Sequence, residues 1–345
     1  VALAVIDQQG RTAFTNVIGF HTGFDLCGRN RNFMPVFRLL LPLLLIGLSL
    51  PAHAQGCSDA GFCTMGAMRP DQPFHRNNKF HLSAMEISFY RGTTTLSPVV
   101  YVATADLNFS INARNSVQLK LPYQWVSGRL AETEGVGDWS LCYTHNLLRT
   151  DRFDLSYSVG AKIPTNASDK SVNQLPLPMY YQTSLGTHDL VGGLSLLSRK
   201  WLFATGIQAP FGKNGNRFVW SAWDGTEEEA YVDRYHQARD LRRGIDIMLR
   251  VERNFRLSRW NFSAGLLPIY RISRDAFTNS RGQRVVARET TGLALSGIVT
   301  AGYSFNVKSS VRLLLGHKIM LRPLNPDGLT REFVSSVSYV YRFSI

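Results

Sequence analysis

No stretch of this 345-residue chain stays apolar for the roughly twenty residues that a membrane-spanning helix needs. The longest apolar run, Leu39 to Leu50, is well short of that, and the mean hydropathy is −0.09. Crossing a membrane by helices is therefore excluded. Cysteine is scarce, with four in all, and Cys57 and Cys63 in GCSDAGFC have no histidine or cysteine partners at a spacing that matches a zinc site. There is no G-x-S-x-G nucleophile elbow and no EF-hand spacing. Acidic residues number 25 against 38 basic ones, a formal charge of +13.

What is present begins with MPVFRLLLPLLLIGLSLPAHAQGC, a basic start, a short apolar stretch and the small-x-small site Ala52-His53-Ala54. These are the parts of a secretory signal peptide, expected over residues 34–54 with cleavage before Gln55. Met34 is the first methionine, so residues 1–33 read as translated upstream of the true start. Lipid attachment at Cys57 is disfavoured, because Ala54-Gln55-Gly56 lacks the large aliphatic residue such signals carry. Removing residues 1–54, with four arginines against two aspartates, leaves +11. In an exported protein the polyanions on offer are lipopolysaccharide and anionic solutes, not nucleic acid. The oxidising compartment makes a Cys57–Cys63 disulfide the default, while Cys142 reads as a buried filler.

From about residue 79 period two dominates, and it points to strands. In NSVQLKLPYQW, Val117, Leu119, Leu121, Tyr123 and Trp125 share one face and Gln118, Lys120 and Gln124 the other. The pattern predicts twelve strands, near 80–91, 98–112, 115–125, 137–149, 152–163, 187–198, 201–211, 241–254, 258–271, 289–305, 308–320 and 333–343. Most exceed the five or six residues usual in soluble sheets and suit tilted spanning strands. Short connections at Ala113-Arg114, Thr150-Asp151, Arg199-Lys200, Phe255–Leu257 and Asn306-Val307 alternate with long ones. That sorting is expected of an outer-membrane barrel with short periplasmic turns and long external loops, and a soluble sandwich has no reason for it. The predicted fold is all-β, a transmembrane antiparallel β-barrel of about twelve strands (ten to fourteen) over residues 79–345.

The polar strand faces carry Glu86, Asp106, Lys120, Asp154, Lys162, Asp246, Arg250, Glu252, Arg271, Arg312, Lys318 and Arg342. Facing lipid, an Arg or Lys near the midplane costs roughly 2–4 kcal/mol, so these residues are expected to line the lumen. They either pair across it or form an anion-preferring channel. Residues 55–78 show no period and are read as either a periplasmic tail or a small disulfide-closed plug. The last strand, FVSSVSYVYRFSI, alternates aromatic with small polar residues and is expected to close the cylinder and be read by the barrel-assembly machinery. The other expected partners are outer-membrane lipid, lipopolysaccharide and a small solute that the sequence does not name.

Three stretches stand out in the first half: GVGDWSL at 135–141, GAKIPTN at 160–166 and LGTHDLVGGLSL at 185–196. The order G-x-G-D, G-x-K-x-P-T, then Gly-Thr-x-Asp resembles outer-membrane proteins of the phenol meta-degradation pathway family. The resemblance covers about residues 115–211. It implies a twelve-stranded or similar barrel that passes hydrophobic or aromatic small molecules. It carries over Gly137, Asp138, Gly160, Lys162, Pro164, Thr165, Gly186 and Asp189. Asn166 departs from it, standing where a glycine is usual, and residues 55–78 have no counterpart. On physical grounds these positions favour architecture over solute contact: glycines for turns, Pro164 to stop a hydrogen-bond ladder, and Asp138 to pin a loop to neighbouring amides.

For catalysis, Ser184, His188 and Asp189 lie in one loop, but sequence adjacency is not triad geometry, so no enzyme is expected. His145 and His317 read as interfacial rings. The cluster Asp224, Glu227, Glu228, Glu229 and Asp233 reads as a solvated loop rather than a calcium site. Arg234, Arg239, Arg242 and Arg243 either neutralise it or face lipopolysaccharide phosphates. No metal and no cofactor is expected. Two functions remain: a passive transporter for small apolar or aromatic solutes, and a structural or adhesive barrel with a sealed lumen.

Overall fold

A computed structural model describes residues 62–69 and 80–343. The expectations for residues 1–33, for the signal peptide at 34–54 and for Cys57 fall outside the described residues.

Among the described residues seventeen strands run in chain order. They are β1 His81–Thr93, β2 Val99–Ser110, β3 Asn115–Ser127, β4 Glu132–Val136, β5 Trp139–Arg149, β6 Phe153–Ile163, β7 Ser171–Val172, β8 Leu175–Pro176, β9 His188–Ser198, β10 Trp201–Phe211, β11 Asp246–Leu257, β12 Trp260–Arg271, β13 Asp275–Thr278, β14 Arg284–Ala287, β15 Gly292–Ser304, β16 Ser309–Met320 and β17 Phe333–Arg342. Thirteen belong to one sheet, and β4 is a side arm on β3. The remaining twelve close on themselves, because β1 pairs with both β17 and β2, and β2 pairs in turn with β3. The protein is thus a closed, twelve-stranded antiparallel β-barrel of the outer-membrane type.

Its burial is inverted relative to a soluble protein. Along β2 every second residue is buried, from Val100 and Val102 through Thr104, Asp106, Asn108 and Ser110. Outside, Ile87, Leu249, Val299 and Val337 are each 39% or more exposed, as a lipid-facing band requires. On β17, Phe333, Val337 and Tyr339 face out while Val334, Ser338 and Val340 face in. Rings gather near the short-turn end: Trp260 stacks on Phe262 at 5.8 Å, and Tyr341 meets Phe343 edge-on at 5.0 Å. His145 joins them, its ring 5.4 Å from Tyr157, and His317 is also exposed on the outer face.

Small side chains close the short turns. Asn112 Oδ1 accepts from the amides of Arg114 and Asn115, and Asn306 Oδ1 from those of Lys308 and Ser309. Thr150 Oγ1 accepts from Phe153 N. The turn placed at Phe255–Leu257 is a correction. Those residues continue β11, with Phe255 opposite Phe262 and Leu257 opposite Trp260, and the chain reverses at Ser258-Arg259. Arg253 and Arg256 lie on that strand, where the Arg253 guanidinium packs over the Trp201 ring at 4.8 Å.

The long-loop end is structured rather than loose. β4 extends β3 beyond the point where β5 leaves it, and β7–β8 and β13–β14 are hairpins. Loop residues Leu177, Tyr180, Tyr181, Phe218, Trp223, Tyr231 and Tyr235 form one apolar core with the inward-facing Tyr90, Val100, Val102, Val126 and Val334. The loops therefore pack into the outer end of the lumen. The acidic stretch at 224–233 belongs partly to this core: Glu228 pairs with Arg129 at 2.8 Å, while Tyr231 and Val232 on the one-turn helix Glu229–Val232 are buried.

Candidate functional site in the barrel lumen

Residues 62–69 lie inside the barrel. They make two 3-10 turns, Phe62–Thr64 and Gly66–Met68, against the wall formed by β5, β6, β9 and β10. Cys63, Met65, Ala67 and Met68 are each 1% exposed or less. The segment's sulfur-bearing side chains pack with Cys142, Val191, Leu202, Ala204 and Met248. Its polar groups are met by strand side chains. Gly66 N donates to Gln118 Oε1 at 2.7 Å, Ala67 N to Ser158 Oγ at 2.6 Å, and Arg250 Nη1 donates to Cys63 O at 2.9 Å. Lys120 Nζ donates to Thr64 Oγ1 at 2.8 Å. Gly66 has φ +50, and a Cβ there would overlap Ser158 Oγ and lie 2.6 Å from Cys142 Sγ, so only glycine fits. Cys63 is disulfide-bonded, and Cys142 is the free cysteine among the described residues.

The lumen-facing charges group at three levels. In the first, Arg69 Nη2 donates to Glu86 Oε2 at 2.5 Å and Nη1 to Asp106 Oδ2 at 3.3 Å, while Arg312 takes the other oxygen of Glu86 at 2.6 Å. Gln118 also donates to Asp106 at 2.6 Å. In the second, Arg250 and Glu252 pair with each other at 2.5 Å, and Ser263 donates to Glu252. In the third, near the long-loop end, Arg271 clamps Asp246 through two hydrogen bonds of 2.8 and 2.7 Å and reaches Asp275 and Asp327, both at 2.7 Å. Arg322 adds a contact to Asp246 at 2.9 Å. Burial by itself would raise the Asp327 carboxyl, but the guanidiniums of Arg271, Arg322 and Arg243 hold it far below the ordinary carboxylate range. Such a bidentate, multiply bonded network is the form in which buried charges are tolerated.

Five residues of the sequence set stand outside these groups, the first being Lys120, which donates to Thr64 of the luminal segment. Lys162 is 1% exposed and lies opposite Asp189 across β6 and β9. Lys318 is fully buried within electrostatic reach of Glu332. Asp154 and Arg342 are half-buried near the short-turn end, where Asp154 sits 3.5 Å from Arg149. Sequence reasoning missed Arg69, Asp275, Arg322 and Asp327, because none lies on a strand with a readable period. It also set Arg243 with surface arginines. Arg243 is a correction: its side chain is wholly buried and donates to Asp189 at 2.8 Å.

The three glycine-bearing motifs form one patch, since β5, β6 and β9 are neighbours in the sheet. Thr165 Oγ1 donates to Gly137 O at 2.5 Å. Asp138 accepts from Ser184 Oγ at 2.5 Å and Leu185 N at 3.0 Å, with burial raising its carboxyl against the pull of Lys162. Gly186, with φ +68, turns the chain so that Asp189 points inward to Thr187, Gln208 and Arg243. Gly160 lets β6 lie close to β5, since a Cβ there would come within 2.6 Å of Leu141 O. Pro164 follows the last residue of β6, and Asn166 donates to Thr183 Oγ1 at 3.2 Å.

Bordered by Thr64 and Arg69 of the luminal segment, a cavity of about 80 Å³ remains. Its polar wall is Arg69, Glu86, Lys120 and Arg312, and its apolar wall Tyr90, Ile298, Leu314 and Val334. A smaller space of about 30 Å³ lies toward the loops, lined by Tyr90, Val100, Asp327 and Arg331 among others. Tyr90 borders both.

No family model matches the sequence, and no curated protein matches it. Among solved structures the barrel is similar to the COG4313 outer membrane channel from Pseudomonas putida F1, with a TM-score of 0.51 and 16% identity over 76% of this chain and 96% of that one. Looser likenesses include the CymD monoaromatic hydrocarbon channel, with a TM-score of 0.36 and 12% identity over 85% of this chain and 98% of that one. Another is outer membrane phospholipase A from Escherichia coli, at 0.36 and 8% over 76% and 98%. At these identities the likeness concerns the fold.

A barrel fold can carry an enzyme, so the one sequence-adjacent set of catalytic residue types matters. Ser184 donates its hydroxyl to Asp138, His188 is exposed, and Asp189 is buried on the opposite face of the same strand. No hydrogen bond joins Ser184 to His188 among the described residues. Groups of acidic, histidine or cysteine residues arranged to hold a metal are likewise absent among the described residues.

Proposed function

We propose that this protein is a passive outer-membrane channel for small apolar solutes, aromatic compounds among them, with residues 55–78 acting as a plug closed by a Cys57–Cys63 disulfide. The observation that carries the reading is the cavity beside residues 62–69. Its charged groups largely satisfy one another, so the wall left for a solute is Tyr90, Ile298, Leu314 and Val334. That wall continues into the aromatic core of the loops, to which Tyr90 and Val334 also belong. An apolar solute gains from such a surface without having to displace an ion pair. The fold likeness to an outer membrane channel agrees with this reading.

A second reading, a sealed barrel whose loops do the work, draws on the same luminal segment and on the packed loops. The two separate on one experiment: refolded protein with and without residues 55–78, assayed in planar bilayers under a salt gradient and in liposomes loaded with an aromatic-binding dye. The channel reading expects aromatic uptake by the intact protein and increased leakage on deletion. Silence of both proteins, each correctly folded, would leave the sealed barrel standing.

A further inference from the structure

The external arginines do not all behave alike. On one side, Arg129 is paired with Glu228 at 2.8 Å and Arg217 with Asp169 at 3.0 Å. Around β10–β14 the balance is different. Arg239, Arg242, Arg274, Arg281, Arg284 and Arg288 are all exposed, and none makes an ion pair among the described residues. Between residues 239 and 289 the acids at the surface are the partly exposed Asp240 and the exposed Glu289, while Asp246, Glu252 and Asp275 are turned inward.

Three cations of this quadrant, Lys213, Arg242 and Arg284, line one open groove of about 460 Å³ with Gly212. Asp240 organises two of them. Its carboxylate accepts from Lys213 Nζ at 2.9 Å, and its backbone carbonyl accepts from Arg284 Nη1 at 2.6 Å. The β13–β14 hairpin is tied to the base of the groove by the mutual backbone hydrogen bonds of Arg242 and Ala276, at 2.8 and 2.9 Å. Arg242 and Arg284 thus keep most of their N–H donors free, on a backbone held in place.

The height of the groove is set by the chain. Gly212 and Lys213 directly follow Phe211, the 57% exposed outward ring that ends β10. In the sheet register exposed Tyr270 is level with Ile207, four residues before Phe211 on β10, exposed Ile272 stands two residues further out than Tyr270, and Val286 on the hairpin is 55% exposed. Lys213, two residues beyond the outward Phe211 ring, sits at the head-group level with Arg242 and Arg284 beside it in the groove, and the exposed Phe211, Ile207 and Tyr270 run down from it along the barrel. An occupant that satisfies both must carry phosphate above and acyl chains below.

We infer that the groove formed by Lys213, Arg242 and Arg284 is a binding site for a phosphorylated glycolipid of the outer leaflet, its phosphates held by the cations and its chains lying along Phe211 and Tyr270. Charge-assisted bonds to phosphate favour guanidinium geometry, and a lipid already beside the barrel needs no separate capture step.

The test uses the full-length protein in detergent, titrated with bisphosphorylated lipid A and read by native mass spectrometry. The expected result is saturable binding that weakens by roughly tenfold or more in the K213Q/R242Q/R284Q variant. A control variant, R129Q/R217Q, on the paired side should keep wild-type affinity. Dephosphorylated lipid A should bind as poorly to wild type as lipid A does to the triple variant. Equal binding of the two lipids, or an unchanged triple variant, overturns the proposal. Displacement of lipid A by low-millimolar inorganic phosphate would also overturn it, marking a free-anion site. Heat-modifiable migration of each variant on gels verifies that the barrel is folded.

Discussion

Arg69, from the segment inside the barrel, donates to Glu86 of β1 at 2.5 Å, and Glu86 offers its other oxygen to Arg312 of β16 at 2.6 Å. One wall carboxylate is therefore shared between a strand of the barrel and the segment inside it. If the segment withdraws, Glu86 keeps a partner, and Asp106 keeps its bond from Gln118. The wall thus tolerates an empty lumen better than a lumen holding an uncompensated charge.

Arg69→Met is expected to weaken seating of the luminal segment by about 1.5–3 kcal/mol, the usual worth of a hydrogen bond to a charged group whose other partners remain. Single-channel recordings should then show a larger or more frequent conductance than wild type, while the barrel stays folded by circular dichroism. An unchanged conductance together with a stably protected segment would count against the plug.

Gly66→Val tests the seat by steric means. The added side chain would meet Ser158 and Cys142, and φ +50 is unfavourable for a β-branched residue. Cys142 is 1% exposed in the native barrel, so its thiol should resist maleimide in wild type and react in the variant. Labelling measured by mass after tryptic digestion decides the matter, and a Cys142 that stays protected shows the segment still seated.

Asp138→Ala removes the acceptor for Ser184 Oγ and Leu185 N and deprives Lys162 of a nearby charge. Leaving such groups unsatisfied costs about 1–3 kcal/mol. Residues 164–187 should become more sensitive to protease, with Ser184→Ala producing a smaller effect. Equal protease sensitivity of Asp138→Ala and wild type would remove the motif patch from the list of architectural features.

The packed loops should loosen in mild acid. Burial lowers the His236 imidazole below its ordinary value, only partly opposed by Asp327. Because the packed state disfavours the proton, its stability is intact above the unfolded value of about 6.5 and declines as pH falls below it. Proteolysis within residues 212–245 should therefore be faster at pH 5.5 than at pH 7.5, and His236→Gln should flatten the difference. Asp327, held low by its arginines, adds a second loss in the same direction that begins below about pH 4. A proteolysis rate independent of pH from 7.5 to 5.5 would falsify the role given to His236.

Most of the barrel was legible because strand formation here is a local pattern. Alternation of large apolar with small polar or charged side chains marked the spanning strands to within a few residues, except at β11, both of whose ends were placed too early. Structure in the long loops was not legible. β4, β7–β8 and β13–β14 are short, and β4 is stabilised by an overhang of β3 that no period in its own sequence announces. Arg243 and Arg242 adjoin in sequence, yet one is buried against Asp189 and the other open to the surface. Only the path of the loop distinguishes them.

The sequence by itself determined the side-chain period, the sorting of short and long connections, and the sign and number of charges that lipid would reject. Those depend on neighbours two residues apart and on the transfer cost of charge into hydrocarbon. The tertiary structure alone decided what occupies the interior. Residues 62–69 are held by Gln118, Ser158, Arg250 and Glu86, partners as far as 187 residues away in the chain. Each contact is a single hydrogen bond or ion pair with no local signature, and they converge only once the cylinder has closed.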